Sequence, residues 1–186
     1  DRNVAIGSDA LLTNTQGARS VAIGYAALDA QDYTTDTNAY NIGIGYEAGG
    51  SITTGVQNTL LGGLAGDALT DADFNIAVGY GALTADTQGS MSVAVGYTAL
   101  GTQNMTTATN ALNVAVGQAA GSAITTGVQN TLIGALAGDA LTDADTNVAV
   151  GVGALGSDVL GGSAVAIGAF ALGSQNFTTA TTSYNV

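Results

Sequence analysis

The stretch Ser20-Val21-Ala22-Ile23-Gly24, followed by Ala27, decides the fold, because versions of it recur along the whole chain. We define the cassette as Asn-Val-Ala-Ile-Gly-x-x-Ala and number its positions from one. The fifth position is Gly and the eighth is Ala in all ten complete copies. These copies begin at Asn3, Ser20, Asn41, Asn58, Asn75, Ser92, Asn113, Asn130, Asn147 and Ala164, and an eleventh begins at Asn185. Such self-similarity at a nearly fixed period indicates a repeat architecture.

The spacing of the cassettes has a longer period of its own. The intervals between successive starting positions are 17, 21, 17 and 17, after which the same series begins again, so the longer period is 72. Residues 52–73 and 124–145 differ at two positions only, Leu61/Ile133 and Gly63/Ala135. The longer interval predicts a protruding loop at residues 31–40, 103–112 and 175–184. We therefore treat residues 1–186 as one repeat segment and expect it to be a fragment of a longer fibre.

The cassette itself predicts a short β-strand. Positions two and four are Val, Ile, Leu or Thr, which is the period-two, β-branched pattern of a strand. The glycine at position five disfavours a helix, since an interior Gly costs a helix about 1 kcal/mol. Short strands at this spacing, with no helices between them, predict an all-β fold, namely a parallel β-solenoid of about ten 17- or 21-residue coils. Stacked at about 4.8 Å per coil, ten coils make a rod of roughly 50 Å.

Both faces of the predicted strands are apolar, because position three is also apolar and mostly small. A strand that is buried on both faces needs a second covering layer. A solenoid one coil wide supplies only one such layer, so we expect identical chains to supply the other, as an intertwined or side-by-side homotrimer. The small position-three face is the expected interface, with these candidate residues: Ala22, Gly43, Ala94, Ala115 and Ala166.

The composition excludes several classes of function. The chain has 14 acidic residues, two basic residues and a net charge of -12, which leaves little to neutralise phosphates or anionic lipids. We therefore expect no nucleic-acid and no membrane partner. The absence of His and Cys removes the commonest general base and all thiol chemistry. We nominate no catalytic residue and no cofactor, and expect no enzyme.

The cassettes at residues 20–24 and 147–151 resemble the head repeats of trimeric autotransporter adhesins of the YadA type. They equally resemble similar repeats in phage tail fibres, and in both cases the resemblance covers nearly all of the chain. It implies a homotrimer of left-handed parallel β-rolls that projects an attachment surface from a cell or a virion tail. An extracellular location and a cell-surface glycan or protein receptor would follow. The alternative is a self-assembling extracellular filament, joined end to end, with no receptor of its own.

Two acidic clusters are candidate calcium sites. Carboxylates two residues apart in one loop can share a Ca²⁺ ion, which takes six to eight oxygen ligands. The favoured interpretation is that these acids are solvated turn residues and that no metal binds to them. A glycosidase carboxylate pair is a further, weaker alternative. The clusters are Asp67, Asp71 and Asp73 in the first unit and Asp139, Asp143 and Asp145 in the second.

The long loops carry the candidate receptor contacts Tyr33, Met105 and Phe177, which occupy equivalent positions before a Thr-Thr pair. The alternative is that each side chain folds back and pins its loop. The threonine pairs skip coils, which disfavours an ice-binding face. Position one is Asn in eight of the eleven cassettes and predicts a ladder of side-chain amides that bonds coil to coil. Asn104 and Asn176 match the glycosylation acceptor pattern.

Overall fold

A computed structural model describes residues 2–185, and within that range the chain is all-β and contains no helix. Ten three-residue strands, one for each complete cassette, form a single parallel sheet. They are β1 (Val4–Ile6), β3 (Val21–Ile23), β5 (Ile42–Ile44), β6 (Thr59–Leu61), β7 (Ile76–Val78), β9 (Val93–Val95), β11 (Val114–Val116), β12 (Thr131–Ile133), β13 (Val148–Val150) and β15 (Val165–Ile167). The predicted parallel β-solenoid is confirmed. Val186, in the eleventh cassette, lies outside the described residues.

Six two-residue strands pair beside the long loops. They are β2 (Gly17–Ala18) with β4 (Thr37–Asn38), β8 (Gly89–Ser90) with β10 (Thr109–Asn110), and β14 (Gly161–Gly162) with β16 (Thr181–Thr182). Each pair joins a shorter coil to the longer coil that follows it. The extra residues of the longer coil therefore lie in the loop and leave the main sheet undisturbed.

The register of the main sheet matches the cassettes position by position. Val21 pairs with Val4 of the preceding coil and with Ile42, which lies beyond the first long loop. The cassette glycines follow each strand with φ between +125° and +141°. A Cβ on Gly96 would lie 2.3 Å from the carbonyl oxygen of Gly117 in the next coil. The glycine is thus required by the close approach of stacked coils as well as by its φ.

Side chains alternate across the strands as predicted, but the assignment of the two faces was wrong. Ala22, Ala94 and Ala115 have no accessible surface, and Ala166 and Gly43 are also buried. All five candidate interface residues therefore face the interior of their own solenoid. Position three is small in eight of the ten complete copies, because residues from the opposite wall fill the remaining space. The exceptions, Leu60 and Leu132, are buried where glycines at position nine leave room. Positions two and four face outward.

The predicted asparagine ladder is present. The backbone N–H of Asn58 donates to Oδ1 of Asn41 at 2.9 Å, in the coil before it. Its own Nδ2 donates to the carbonyl oxygen of Ala72 at 2.8 Å, across the same coil. The same two bonds recur at Asn75, Asn130 and Asn147. Each of these buried amides therefore closes its own coil and links it to its neighbour, which satisfies the polar atoms of its side chain.

The solenoid interior is filled in two ways. In the apolar pair of coils, residues 41–74, position nine is Gly and position twelve is Ile52 or Leu69. A Cβ on Gly49 would lie 2.6 Å from Cδ1 of Leu60, so this leucine occupies the space that the glycine leaves. Residues 113–146 repeat the arrangement.

In the polar pair of coils, residues 75–112, position nine is Leu and position twelve is Asp86 or Gln103, both fully buried. Asp86 accepts hydrogen bonds from the N–H groups of Gly89 and Met105, each at 3.0 Å, and from Nε2 of Gln103. Gln103 Oε1 accepts from Nδ2 of Asn113 at 2.8 Å. Burial raises the pKa of Asp86, and these hydrogen bonds oppose the rise.

Candidate interaction faces

The outer face, which we define as cassette positions two, four and six, is an extended and mostly apolar surface of the described chain. Ile6, Leu61 and Ile133 are 58%, 44% and 40% exposed on it. It crosses all ten strands of the sheet and measures about 15 by 43 Å, or roughly 650 Å². The largest apolar patch on a typical monomer is about 300–600 Å². A surface of this size and shape is suited to a partner.

The outer face also carries no charge. None of the 14 acidic residues and neither arginine occupies position two, four or six of a cassette. In the described chain, most acidic residues lie instead at partly or fully exposed positions in turns and loops, and Asp86 and Asp158 lie in the solenoid interior. Charged residues are depleted from the cores of protein interfaces, since their desolvation is costly. The absence of charge on the outer face is therefore what a protein interface requires.

Four tyrosines at position six extend the outer face at one edge. The rings of Tyr25 and Tyr46 stack with centroids 5.4 Å apart, and those of Tyr80 and Tyr97 stack at 5.9 Å. All four are about half exposed. A hydrogen bond to the neighbouring Glu47, together with its charge, raises the pKa of Tyr46. These rings form two apolar ridges rather than an isolated site.

The structure buries Tyr33 and Met105, so their assignment to receptor contact was wrong and both fold back onto their loops, whereas receptor contact by Phe177 stays a prediction. Tyr33 and Met105 are only 5% and 4% exposed, and Phe177 is half-buried. The Tyr33 hydroxyl donates to the carbonyl oxygen of Gly55 at 2.6 Å. Burial raises its pKa to about 12. The long coil encloses extra space, and these side chains fill it.

The acidic clusters do not converge. Within residues 2–185 no three acidic side chains lie close enough together to hold a metal ion. Asp67 accepts from the Thr84 hydroxyl of the following coil at 2.6 Å, whereas Asp73 accepts from the Val56 N–H of the preceding coil at 2.7 Å. Burial raises the pKa of Asp67.

The second cluster is arranged in the same way. Asp143 and Asp145 accept from Thr126 Oγ1 at 2.5 Å and from the Val128 N–H at 2.8 Å, both in the preceding coil. Burial raises the pKa of Asp139. The calcium alternative therefore lacks the geometry it requires, since four of the six acids hydrogen-bond separately to adjacent coils.

A second kind of site, the side cleft, was not found from the sequence. It lies beside the β2–β4 pair, has a volume of about 330 Å³, and is lined by Arg2, Gln16, Ala18, Arg19, Asp36, Thr37 and Asn38. The equivalent cleft beside β14–β16 is lined instead by Asp143, Ala144, Asp145, Thr146, Leu160, Gly162, Ser163, Ala180, Thr181 and Thr182. Alignment of the individual coils places both arginines at the same position, directly before the cassettes that begin at Asn3 and Ser20. The pairing of β2 with β4, which builds the cleft, becomes evident only in the structure.

The part of the chain that the structure describes has no helix of the length and apolar character needed to cross a membrane. Comparison of the chain with family models, with curated proteins and with solved structures gives no match. The outer face and the side cleft are therefore the features on which a proposed function rests.

Proposed function

We propose that the chain is the structural rod of an extracellular or virion surface fibre, in which three copies pack through the outer face and project an attachment surface. The observation that carries this proposal is the charge-free apolar face that runs the length of the described solenoid. An isolated chain would leave that face in water, at a cost proportional to its apolar area. Contact with identical faces removes the cost without requiring a different protein.

The direction of the outer face supports parallel packing of copies, because the face runs across all ten strands along the described solenoid. A fibre that projects from a surface needs its copies to point the same way, so the symmetry axis runs along the rod. The number three is what the resemblance to trimeric adhesins and tail fibres implies.

The interior of the solenoid suits a rod with a mechanical role. Backbone hydrogen bonds along the ten-stranded sheet and the buried asparagine ladder both run from coil to coil. Bonds in that direction resist bending and separation of the coils. Residues 113–146 reproduce the apolar filling of residues 41–74, which favours a repeated spacer over a single specialised site.

The proposal is tested by the mass of the native chain and by charges placed on the outer face. In analytical ultracentrifugation the native particle should have three times the 18.0 kDa mass of one chain. Replacing Val116 and Ile133 with Glu forces carboxylates into a dry interface, so we expect a fall towards the mass of one chain. Circular dichroism should still report β-structure, because both side chains point away from the solenoid interior.

A matched control places the same charges elsewhere. Glu at Thr107 and Thr179, exposed residues of two long loops, should leave the trimeric particle intact. A native chain that sediments as a monomer would contradict the proposal. Particles that keep growing with concentration would favour the self-assembling filament instead.

A further inference from the structure

We infer that the side cleft of the first unit binds a sugar carboxylate, meaning a saccharide that carries a carboxylate among its hydroxyl groups. The biological meaning of this inference rests on the proposed attachment function. The cleft itself is formed within a single chain, between the last residues of successive coils and the β2–β4 pair.

The only two cationic side chains of the protein, Arg2 and Arg19, both line this cleft. They are the last residues of successive coils, so their backbones stack about 4.8 Å apart. Asp36, one of the 14 acids of the chain, also lines the cleft, and the other acids make the rest of the surface repel anions. Two guanidinium groups in one recess therefore create a local site for a negative charge on an otherwise unfavourable surface.

Arg19 is held in position by the neighbouring coil. Its Nη1 donates to the hydroxyl oxygen of Tyr40 at 2.8 Å, and its guanidinium carbon lies 5.4 Å from the centroid of that ring. A guanidinium held by one donor keeps the others free in a planar fork, the geometry that matches a carboxylate. Holding the side chain in advance also lowers the entropy cost of binding.

The rest of the lining favours a saccharide over a simple inorganic anion. The amides of Gln16 and Asn38 and the hydroxyl of Thr37 offer donors and acceptors to sugar hydroxyls. Asp36 can accept a hydrogen bond from a sugar hydroxyl. The small side chain of Ala18 leaves depth, and a cleft of about 330 Å³ lies within the range of ligand sites.

The third unit contains the same cleft with a different lining. Thr146 and Ser163 stand where the first unit has its two arginines, whereas Tyr184 keeps the place of Tyr40. The backbone support and the tyrosine are thus present without the cations. This arrangement provides a second location at which the proposed recognition can be installed.

The first test is calorimetric titration of the full chain with trigalacturonate, with galactotriose as the neutral match and sulfate as the inorganic anion. We expect trigalacturonate to bind at one site per chain and the other two to bind much more weakly. Arg2→Gln and Arg19→Gln should each weaken binding by about tenfold or more, since each removes a charge-assisted hydrogen bond.

The second test installs the site in the third unit. Thr146→Arg with Ser163→Arg should raise the stoichiometry towards two sites per chain, because Tyr184 can support the new guanidinium as Tyr40 supports Arg19. The matched control, Gln57→Arg with Gln129→Arg, adds the same charge at the same coil position away from both clefts. It should leave the stoichiometry at one.

Four results would overturn this inference. The first three are no trigalacturonate binding by the native chain, equal affinity for sulfate, and a second site in the control variant. A change of particle mass in Arg19→Gln would likewise overturn it, because the arginine would then contact a neighbouring copy. A monomeric chain that still binds trigalacturonate would contradict the trimeric rod and support the cleft, so the two proposals fail separately.

Discussion

The apolar pair of coils, residues 41–74, and the polar pair, residues 75–112, share one sheet and one register but fill their interiors differently. The apolar pair combines Gly at position nine with Ile52 or Leu69 at position twelve. The polar pair combines Leu at position nine with Asp86 or Gln103 at position twelve. The backbone of the solenoid thus accepts either a hydrocarbon or a hydrogen-bonded filling, provided that each filling is complete.

The polar filling accompanies the long loop for a physical reason. The longer coil begins with Ser92 instead of Asn, and it brings the buried N–H of Met105 into the interior. Asp86 accepts a hydrogen bond from that N–H. Gln103 donates from Nε2 to the Ser92 hydroxyl oxygen and accepts from Nδ2 of Asn113. In a regular coil, hydrogen bonds to the stacked neighbouring coils satisfy the buried backbone groups. In the longer coil, side chains satisfy some of these groups instead.

The largest loss of stability is expected when a polar side chain is placed in the interior of an apolar pair of coils. Ile124→Gln places an amide among hydrocarbon side chains and removes a fully buried Ile. We expect a loss of about 3–5 kcal/mol in the free energy of unfolding, from the lost burial and the unpaired amide together. Denaturant unfolding measures it. Ile124→Leu, which keeps the volume, should cost below about 1.5 kcal/mol, and similar losses in both variants would refute the explanation.

The reverse exchange should cost less. Gln103→Leu removes the Nε2 donor to Asp86 and the acceptor of Asn113, which leaves a buried carboxylate with fewer partners. We expect a loss of about 2 kcal/mol in the same unfolding measurement. Gln175→Leu is the control, because Gln175 makes the equivalent contact with Asp158 but is only partly buried. Its loss should be smaller, since water can replace the missing donor, and an equal loss would argue against burial as the cause.

The smallest expected effect tests whether the charge of Asp86, apart from its hydrogen bonds, alters stability. The first 72-residue unit has Asn14 at the position of Asp86, so Asp and Asn can be exchanged between the two positions. Burial raises the folded-state pKa of Asp86, so its contribution to stability is greatest below the unfolded pKa of about 4 and is lost as pH rises through the folded pKa. Asp86→Asn removes the buried charge, but it also turns the Oδ2 acceptor of the Gln103 Nε2 bond into a donor. The Tm of the variant relative to the native chain should therefore be higher at pH 7 than at pH 4, by a few degrees.

Asn14→Asp is the reciprocal change. Its side chain accepts from the Gly17 N–H at 3.0 Å, but it also donates to the Gly17 carbonyl oxygen at 2.9 Å, which a carboxylate cannot do. It should lower Tm at pH 7. A change of Tm for Asp86→Asn that is equal at both pH values would exclude the charge as its source.

Much of the fold was predictable because it depends on local pattern and on repetition. The spacing of Gly24, Gly45 and Gly62 predicted the coil lengths, and the alternation around Ala22 predicted strands with two distinct faces. Asn41 and its equivalents predicted the buried ladder. Each follows from a requirement that every coil repeats, so ten copies reinforce the same conclusion.

The sequence alone determined that the chain is a stack of parallel coils, because strand period, obligatory glycine and recurring asparagine are properties of each coil. Only the tertiary structure decided which strand face is inside, since alternation distinguishes two faces but does not orient them. The packing of the coil interior orients them, because position three lies inside, whether it is Ala94 or Leu60, and Val95 faces outward. The inward position of Tyr33 and the meeting of Arg2 with Arg19 in one cleft likewise depend on how residues from different coils share space.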